Sequence, residues 1–362
     1  VLLLKRLSMA GHRIILLVGG GTGMIGDPRE SGERVLSDKK IVAKNKKALK
    51  AQMQRIMGTK VTVVDNADWL LKIKLVDFLR DIGKHFTINE LIKRDIIKRR
   101  IEDPNDSISY TEFAYSLLQG YDYLVLNKKY GVDLQIGGTD QWTNILSGVE
   151  LNRRKEGKEV FAITCPLVTD TNGKKFGKSE GNAVWLDAAK TSPFQFYQFW
   201  LNQPDEMVGK YLKFYTFMSV FEIDTMIELH MRNPGRREAQ KMLARLVTEI
   251  VHGPETAARV QTASEAVYGS APLSDLSPAD LATIKKEVPS AHVTEGMTVV
   301  DVLMKTELVK SKTDARRLIE SGAVSINGEN IDAPDAVLTP AHFQGGIALL
   351  RRGKQTALLS NN

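Results

Sequence analysis

Twice in this chain a short apolar run opens into paired glycines followed by polar side chains. Ile14-Ile15-Leu16-Leu17-Val18 enters Gly19-Gly20-Gly21-Thr22-Gly23, and Leu134-Gln135-Ile136 enters Gly137-Gly138-Thr139-Asp140-Gln141-Trp142. An apolar run of this length, stopped by glycine, reads as a buried parallel strand. The carboxyl ends of such strands are where open α/β sheets hold ligands. Val61–Val64, ended by Asp65-Asn66, and residues 160–165, ended by Pro166, read as two more strands. Helical periodicity fills the intervals. Residues 39–57 put Val42, Leu49, Met53 and Ile56 on one stripe, and 70–82, 87–100 and 111–127 are also helical. Strands alternating with helices predict an α/β domain with a parallel sheet.

Beyond about residue 191 the alternation stops. Residues 191–267 read as helices, broken near Pro204, Pro234-Gly235 and Gly253-Pro254. The turn-rich interval 269–296 reads as a linker holding one short helix. A helix over 312–321 then ends at Gly322, and Asn327-Gly328 between alternating residues predicts a type I′ hairpin. The expected organisation is an α/β domain over 1–187, an all-α domain over 188–268, a linker over 269–296 and a small α+β domain over 297–362.

Composition removes several function classes. Cys165 is the only cysteine, which excludes an internal disulfide framework and a cysteine zinc site. It also fits a reducing cytosol or organelle matrix; a cytoplasmic location is the expectation. The six histidines show no metal-ligand spacing, and no metal site is predicted. No apolar run reaches the roughly 18 residues of a membrane helix, and no membrane partner is expected. Val1–Leu4 precedes Lys5 and Arg6, the order of a short helix and not of a signal peptide. Residues 1–100 hold 22 Lys and Arg against 10 Asp and Glu. That bias reads either as a site for a polyanion such as nucleic acid or as a solvated lysine-rich face.

Five segments carry chemistry. Glycines over Gly19–Gly26 let a ligand approach the backbone and leave amide N–H groups for anions, or make a purely structural turn. The run is neither a Walker A loop nor a dinucleotide fingerprint. Asp27 beside it can pair with an ammonium group. In the second turn Asp140 can accept from ribose hydroxyls, and Gln141 both donates and accepts. Tyr115, Gln119 and Asp122 share one helix face, which is either exposed or the wall of a pocket. Lys175 and Lys178 flank Gly177 in a glycine-rich polar stretch; they can reach one triphosphate, or belong to a surface loop. At the C-terminus Lys312, Arg316 and Arg317 lie near one helix face and Arg351-Arg352 form a second basic cluster, read as a phosphate-binding surface or as solvated helix.

Taken together these segments resemble the bacterial-type tyrosyl-tRNA synthetases, which are class I aminoacyl-tRNA synthetases. The resemblance runs through Gly19–Pro28, Phe78–Phe86, Tyr110-Thr111-Glu112-Phe113, Leu118–Asp122, Leu134–Trp142 and Lys175-Phe176-Gly177-Lys178-Ser179, the last in the place of the class I Lys-Met-Ser-Lys-Ser signature. It implies that the α/β domain is Rossmann-like and catalytic, that the all-α domain binds the anticodon arm, and that the tail is an S4-type RNA-binding domain. It further implies that Asp27, Tyr115 and Gln119 hold the ammonium group of L-tyrosine with Asn66 nearby, that Asp122 accepts from its phenol hydroxyl, and that Gln141 lies by its carboxylate. Thr22, Arg34, Gln135, Gly137, Gly138 and Asp140 fall to ATP. Lys175, Lys178 and Ser179 fall to catalysis at the departing pyrophosphate, and Lys312, Arg316, Arg317, Arg351 and Arg352 to RNA.

The implied reaction forms tyrosyl-adenylate from tyrosine and ATP, with Mg²⁺ accompanying ATP, and passes tyrosyl to the 3′ end of tRNA(Tyr). A homodimer is also implied. The family's His-x-Gly-His signature, and a first strand with a tyrosine facing the phenol, precede the part that matches Val1–Gly11. A preceding segment is therefore expected, and a chain without it is expected to be severely impaired in adenylation. Ala67, Thr139, Thr143 and Gly21 depart from the family's usual residues. The competing reading is a non-catalytic RNA-binding protein on the same scaffold; a dinucleotide oxidoreductase is a distant third.

Overall fold

A computed structural model of the chain describes residues 1–28, 38–58, 61–169, 184–269, 273, 276–353 and 355–361. It divides into two compact units, Val1–Ser179 and Glu180–Asn362.

In the first unit α1 (Leu2–Met9) leads into β1 (Ile15–Val18), and α2 (Lys39–Met57) into β2 (Thr62–Asp65). The two strands pair in parallel with Val18 opposite Asp65. Then come α3 (Ala67–Leu70), α4 (Leu75–Asp81), α5 (Ile88–Leu91), α6 (Asp95–Glu102) and the long α7 (Tyr110–Tyr130). β3 (Leu134–Gly138), α8 (Trp142–Glu156) and β4 (Phe161–Cys165) form a βαβ unit, again parallel, with Gly138 opposite Cys165. All four expected strands are present, but as two separate pairs; among the described residues no ladder joins β1 to β3. Periodicity identifies strands and carries no information about which edges bond. Of the expected α2 stripe only Ile56 is buried, and Leu49 is 51% exposed.

α7 owes its start to Ser109. The Ser109 hydroxyl accepts from the Glu112 amide at 3.3 Å, and the Glu112 carboxylate accepts from the Ser109 amide at 3.3 Å. Such a reciprocal cap contributes about 1 kcal/mol. The Glu112 carboxylate is in turn paired with the buried Arg100 guanidinium at 2.8 Å. Gly131, in the left-handed region at φ 70°, ends the helix. Leu117 and Leu124 of α7 meet Leu151 of α8 and Phe78, Ile82 and Leu91 in one core. Each such side chain, fully buried, contributes roughly 1.5–3 kcal/mol. This packing fixes the opposite side of α7, where Asp122 lies.

In the second unit α9 (Pro193–Leu201), α10 (Asp205–Tyr215), α11 (Val220–Arg232), α12 (Glu238–His252) and α13 (Pro254–Tyr268) follow in order. Phe196, Tyr197, Trp200, Leu212, Leu243 and Val247 are buried among them. α14 (Pro278–Glu287), capped by Ser277, is the short helix expected in the linker interval. β5 (Ser290–His292) was not expected there. It pairs in parallel with β9 (Gln355–Ser360) and so joins the sheet of the C-terminal part. Three residues, Ser-Ala-His, are too few to show an alternating pattern. α15 (Val299–Lys305) and α16 (Lys312–Glu320) precede β6 (Val324–Ile326), β7 (Glu329–Asn330) and β8 (Ile347–Arg352), giving the order β5-β9-β8-β6-β7. Asn327 and Gly328 have φ of 51° and 90°, the two positive values that the predicted hairpin turn requires. Among the described residues no helix is long and apolar enough to cross a membrane.

Candidate active site

Two of the chemistry-bearing segments of the first unit, the glycine-rich turns, begin where a strand ends. β1 delivers the chain into Gly19–Gly23, and β2 beside it ends in Asp65 and continues into Asn66. The Gly20 amide donates to Asp65 Oδ1 at 3.1 Å and the Gly21 amide to Asn66 Oδ1 at 2.7 Å. The Gly23 amide donates to the Gly19 carbonyl at 2.8 Å. This corrects the reading of the turn as a source of anion-binding amides at these three positions. Gly20 is needed for a different close approach: a Cβ there would lie 2.3 Å from Asp65 Oδ1.

Asn66 is 1% exposed and joins three groups. Besides accepting from Gly21, its Nδ2 donates to Thr22 Oγ1 at 2.9 Å and to Asp122 Oδ2 at 2.9 Å. The second Asp122 oxygen accepts from Trp69 Nε1 at 2.7 Å. Asp122 is 2% exposed, so its carboxylate is held at both oxygens inside the protein. Burial pushes this carboxyl up to about 7, against the opposing pull of the Asn66 and Trp69 hydrogen bonds. Gln119 and Tyr115, one and two turns earlier on α7, are half-buried. The polar stripe of α7 is therefore not an exposed face.

Asp27 lies at the far end of the first turn. Its Oδ2 accepts from Gln141 Nε2 at 2.9 Å and its Oδ1 from Asn144 Nδ2 at 3.1 Å. Gln141 and Asn144 come from the turn after β3 and the first turn of α8. The two glycine-rich turns are thus tied to each other through side chains. In the second turn Gly137 and Gly138 are half-buried and Asp140 is exposed. The Gln135 Oε1 atom on β3 is buried with no hydrogen-bond partner among the described residues.

The structure therefore brings Thr22, Asn66 and Asp122 into one bonded network and Asp27 and Gln141 into another. Arg34, Lys175, Lys178 and Ser179 lie outside the described residues. Sequence reasoning missed Trp69, Asn144 and Asp65. Asn144 had a usable signal, because it lies one helical turn after Gln141. Trp69 and Asp65 had none, since their roles depend on partners about 50 residues away.

The basic residues of the second unit are unequal. Lys312 pairs with Asp301 at 2.8 Å and Arg317 with Asp314 at 2.6 Å, all at the surface, while Arg316 is exposed. Arg351 instead donates to the Ala266 and Gly269 carbonyls at 3.2 and 2.9 Å, where burial lowers its guanidinium. Arg352 donates to the Leu308 carbonyl. Both of these arginines are engaged within the fold.

Comparison with known proteins places the chain in a family. The family model for class I tRNA synthetases (W and Y) matches residues 1–269, and that for the tyrosine–tRNA ligase SYY-like C-terminal domain matches residues 280–359. Tyrosine–tRNA ligase 1 of Enterococcus faecalis is 44% identical over 99% of this chain and 87% of its own length. The tyrosine–tRNA ligase of Leuconostoc mesenteroides is 46% identical over 99% of this chain and 86% of its own. A C-terminally truncated mitochondrial tyrosyl-tRNA synthetase from Aspergillus nidulans aligns in structure with a TM-score of 0.62 and 30% identity. That alignment covers 70% of this chain and 76% of that one.

Proposed function

Because the chain belongs to the class I tRNA synthetases of the tryptophan and tyrosine group, we propose that it acts as a tyrosine–tRNA ligase through the residues gathered at the ends of β1, β2 and β3. It activates L-tyrosine with ATP and passes the tyrosyl group to tRNA(Tyr). The observation that carries the tyrosine side of this reading is Asp122, a buried carboxylate held at both oxygens by Asn66 and Trp69. A carboxylate so fixed is preorganised to accept a phenol hydroxyl. A site built around such a bond rejects the analogue that lacks the hydroxyl, an effect of which tyrosine–tRNA ligases are themselves the established instance.

In this account Asp27, Tyr115 and Gln119 receive the tyrosine ammonium group. Asn66 acts by orienting Asp122 and Thr22. Gln141 leaves Asp27 for the tyrosine carboxylate as the ammonium replaces its bond. Thr22, Gln135, Gly137, Gly138 and Asp140 line the ATP side, with Arg34 adding positive charge. The tyrosine carboxylate attacks the α-phosphorus, a P–O bond to pyrophosphate breaks, and Lys175 and Lys178, with Ser179 beside them, stabilise the leaving charge. Mg²⁺ arrives as part of the ATP substrate. The terminal ribose hydroxyl of the tRNA then attacks the tyrosyl carbonyl and AMP departs. No covalent enzyme intermediate is required, and rate comes from positioning and charge stabilisation.

The α/β part of the first unit, read as Rossmann-like, carries both steps. Helices α9–α13 are read as the anticodon-arm domain and the C-terminal sheet with α15 and α16 as the S4-type domain. Lys312, Arg316 and Arg317 offer the RNA phosphates a cationic face. The reading also includes a cytoplasmic location and a homodimer; exposed Leu75, Val76, Ile88 and Tyr110 support an apolar interface. The test is charging of tRNA(Tyr) with labelled tyrosine. Product released as tyrosine by mild base is expected, and a protein that binds the tRNA but never charges it would favour the non-catalytic alternative.

A further inference from the structure

The turn after β1 is held by a carboxylate that the proposed chemistry does not use. Asp65 closes β2 opposite Val18. Its Oδ1 accepts from the Gly20 amide at 3.1 Å and from the Ala67 amide at 3.0 Å. Its Oδ2 lies 2.7 Å from Lys46 Nζ on α2. One side chain thus fastens the glycine turn, the first residue of α3 and the middle of α2. The fit leaves no room for a side chain at position 20, where a Cβ would fall 2.3 Å from one carboxylate oxygen and 2.7 Å from the other. Burial by itself would raise this carboxyl. The Lys46 ammonium and the Ala67 and Gly20 amides outweigh burial and hold it below the usual carboxylate range. Asp65 is therefore ionised.

A fixed negative charge beneath a turn that faces a triphosphate is unfavourable unless it is neutralised locally. Lys46 supplies that neutralisation. The Gly20 amide also donates to the Val18 carbonyl at 3.1 Å, so the carboxylate is its second acceptor, the one that ties the turn to β2. Thr22, two residues after Gly20, is fixed from the other side by Asn66.

We propose that Asp65, neutralised by Lys46, is a positioning residue for ATP. It fixes the Gly20 amide so that the turn holds Thr22 beside the junction of ATP and tyrosine, and Lys46 screens the nucleotide from its charge. This rests on the ligase reading above. Neither residue is among those assigned to substrate contact.

The test compares Asp65→Ala, Asp65→Asn, Lys46→Met and the double variant Lys46→Met/Asp65→Asn in tyrosine-dependent ATP–pyrophosphate exchange. Asp65→Ala removes both amide bonds and is expected to raise the KM for ATP about tenfold, with the KM for tyrosine changed less than twofold. Asp65→Asn keeps an acceptor for both amides and is expected to restore the ATP value to within about threefold. Lys46→Met leaves the carboxylate unneutralised and is expected to raise the ATP value, and the double variant to lower it again. Amide hydrogen exchange of the peptide spanning Gly19–Gly26, with protection lost in Asp65→Ala and kept in Asp65→Asn, reads the same contact without catalysis. Equal changes in both KM values, an Asp65→Asn as impaired as Asp65→Ala, or unaltered exchange protection in Asp65→Ala would overturn the proposal. Absence of exchange activity in the unaltered protein contradicts the ligase reading instead, and the hydrogen-exchange comparison then decides by itself whether Asp65 holds the turn.

Discussion

Gln141 Nε2 donates to Asp27 Oδ2 across 2.9 Å, and this bond ties the turn after β3 to the turn after β1. Asn144 Nδ2 reaches the other Asp27 oxygen at 3.1 Å and Gln141 Oε1 at 3.3 Å. The carboxylate assigned to the substrate ammonium is thus already aimed by two amides from another segment. Substrate binding exchanges one set of donors for another, which lowers the reorganisation needed.

The first prediction concerns that arrangement. Asp27→Asn removes the negative charge that an ammonium group requires and is expected to raise the KM for tyrosine by roughly 10- to 100-fold, the range for a hydrogen bond to a charged group. Asn144→Ala, which only loosens the carboxylate, is expected to raise it less than tenfold. Both leave the KM for ATP nearly constant in steady-state exchange kinetics. An Asn144→Ala effect confined to ATP contradicts the assignment.

Asp122 gives a pH dependence with a definite sign. Its carboxyl is pushed up to about 7 in the fold, from the ordinary carboxylate value of 3.8. Accepting the phenol hydroxyl requires the ionised form, so tyrosine affinity is expected to fall as pH drops through 7, by up to about tenfold per unit below it. Folding responds in the opposite sense. Stability supplied by the protonated carboxyl is complete below pH 3.8 and is lost as pH rises through 7, on the order of 4 kcal/mol in total. Asp122→Asn removes this dependence from both quantities. Calorimetric tyrosine titrations and urea unfolding at pH 5.5 to 8.5 measure them.

Trp69→Phe removes the 2.7 Å donor to Asp122 and leaves the ring to pack. One hydrogen bond to the ionised form is lost, so the carboxyl is expected to move further up. The midpoint of the tyrosine-binding pH profile then shifts to higher pH by about one unit. A profile that stays in place shows that Trp69 contributes packing alone.

A C-terminal truncation has to respect β5. Removal of residues 297–362 strands Ser290–His292, whose sheet partner among the described residues is β9. A chain ending at Tyr268 leaves no such strand. It is expected to retain tyrosine-dependent pyrophosphate exchange within about threefold and to lose at least tenfold in kcat/KM for tRNA, from the missing phosphate contacts. Comparing the two reactions on the same preparation checks it.

Much of this was legible in the chain itself. The four strand positions followed from apolar runs stopped by glycine, proline or Asp-Asn, and the Asn327-Gly328 turn from the φ values it needs. The face shared by Tyr115, Gln119 and Asp122 followed from helical spacing. The reading of free amides at Gly20 and Gly21 failed because their acceptors, Asp65 and Asn66, come from 45 positions later. Only the ladder register of β1 against β2 brings them there. Arg351 looked like a surface cation for the same reason, its carbonyl partners lying 85 and 82 positions earlier. Local pattern reports the element and its face, whereas these roles are set by pairing between distant elements.

The central claim is that Asp122, aimed by Asn66 and Trp69, makes this a site for tyrosine. The most direct measurement is ATP–pyrophosphate exchange with tyrosine, phenylalanine and tryptophan, on the unaltered protein and on Asp122→Ala. Exchange with tyrosine alone is predicted, with Asp122→Ala losing roughly 10- to 100-fold of its kcat/KM for tyrosine and much of its preference over phenylalanine. Exchange driven equally by phenylalanine, or a preference for tyrosine that survives the loss of Asp122, would contradict it.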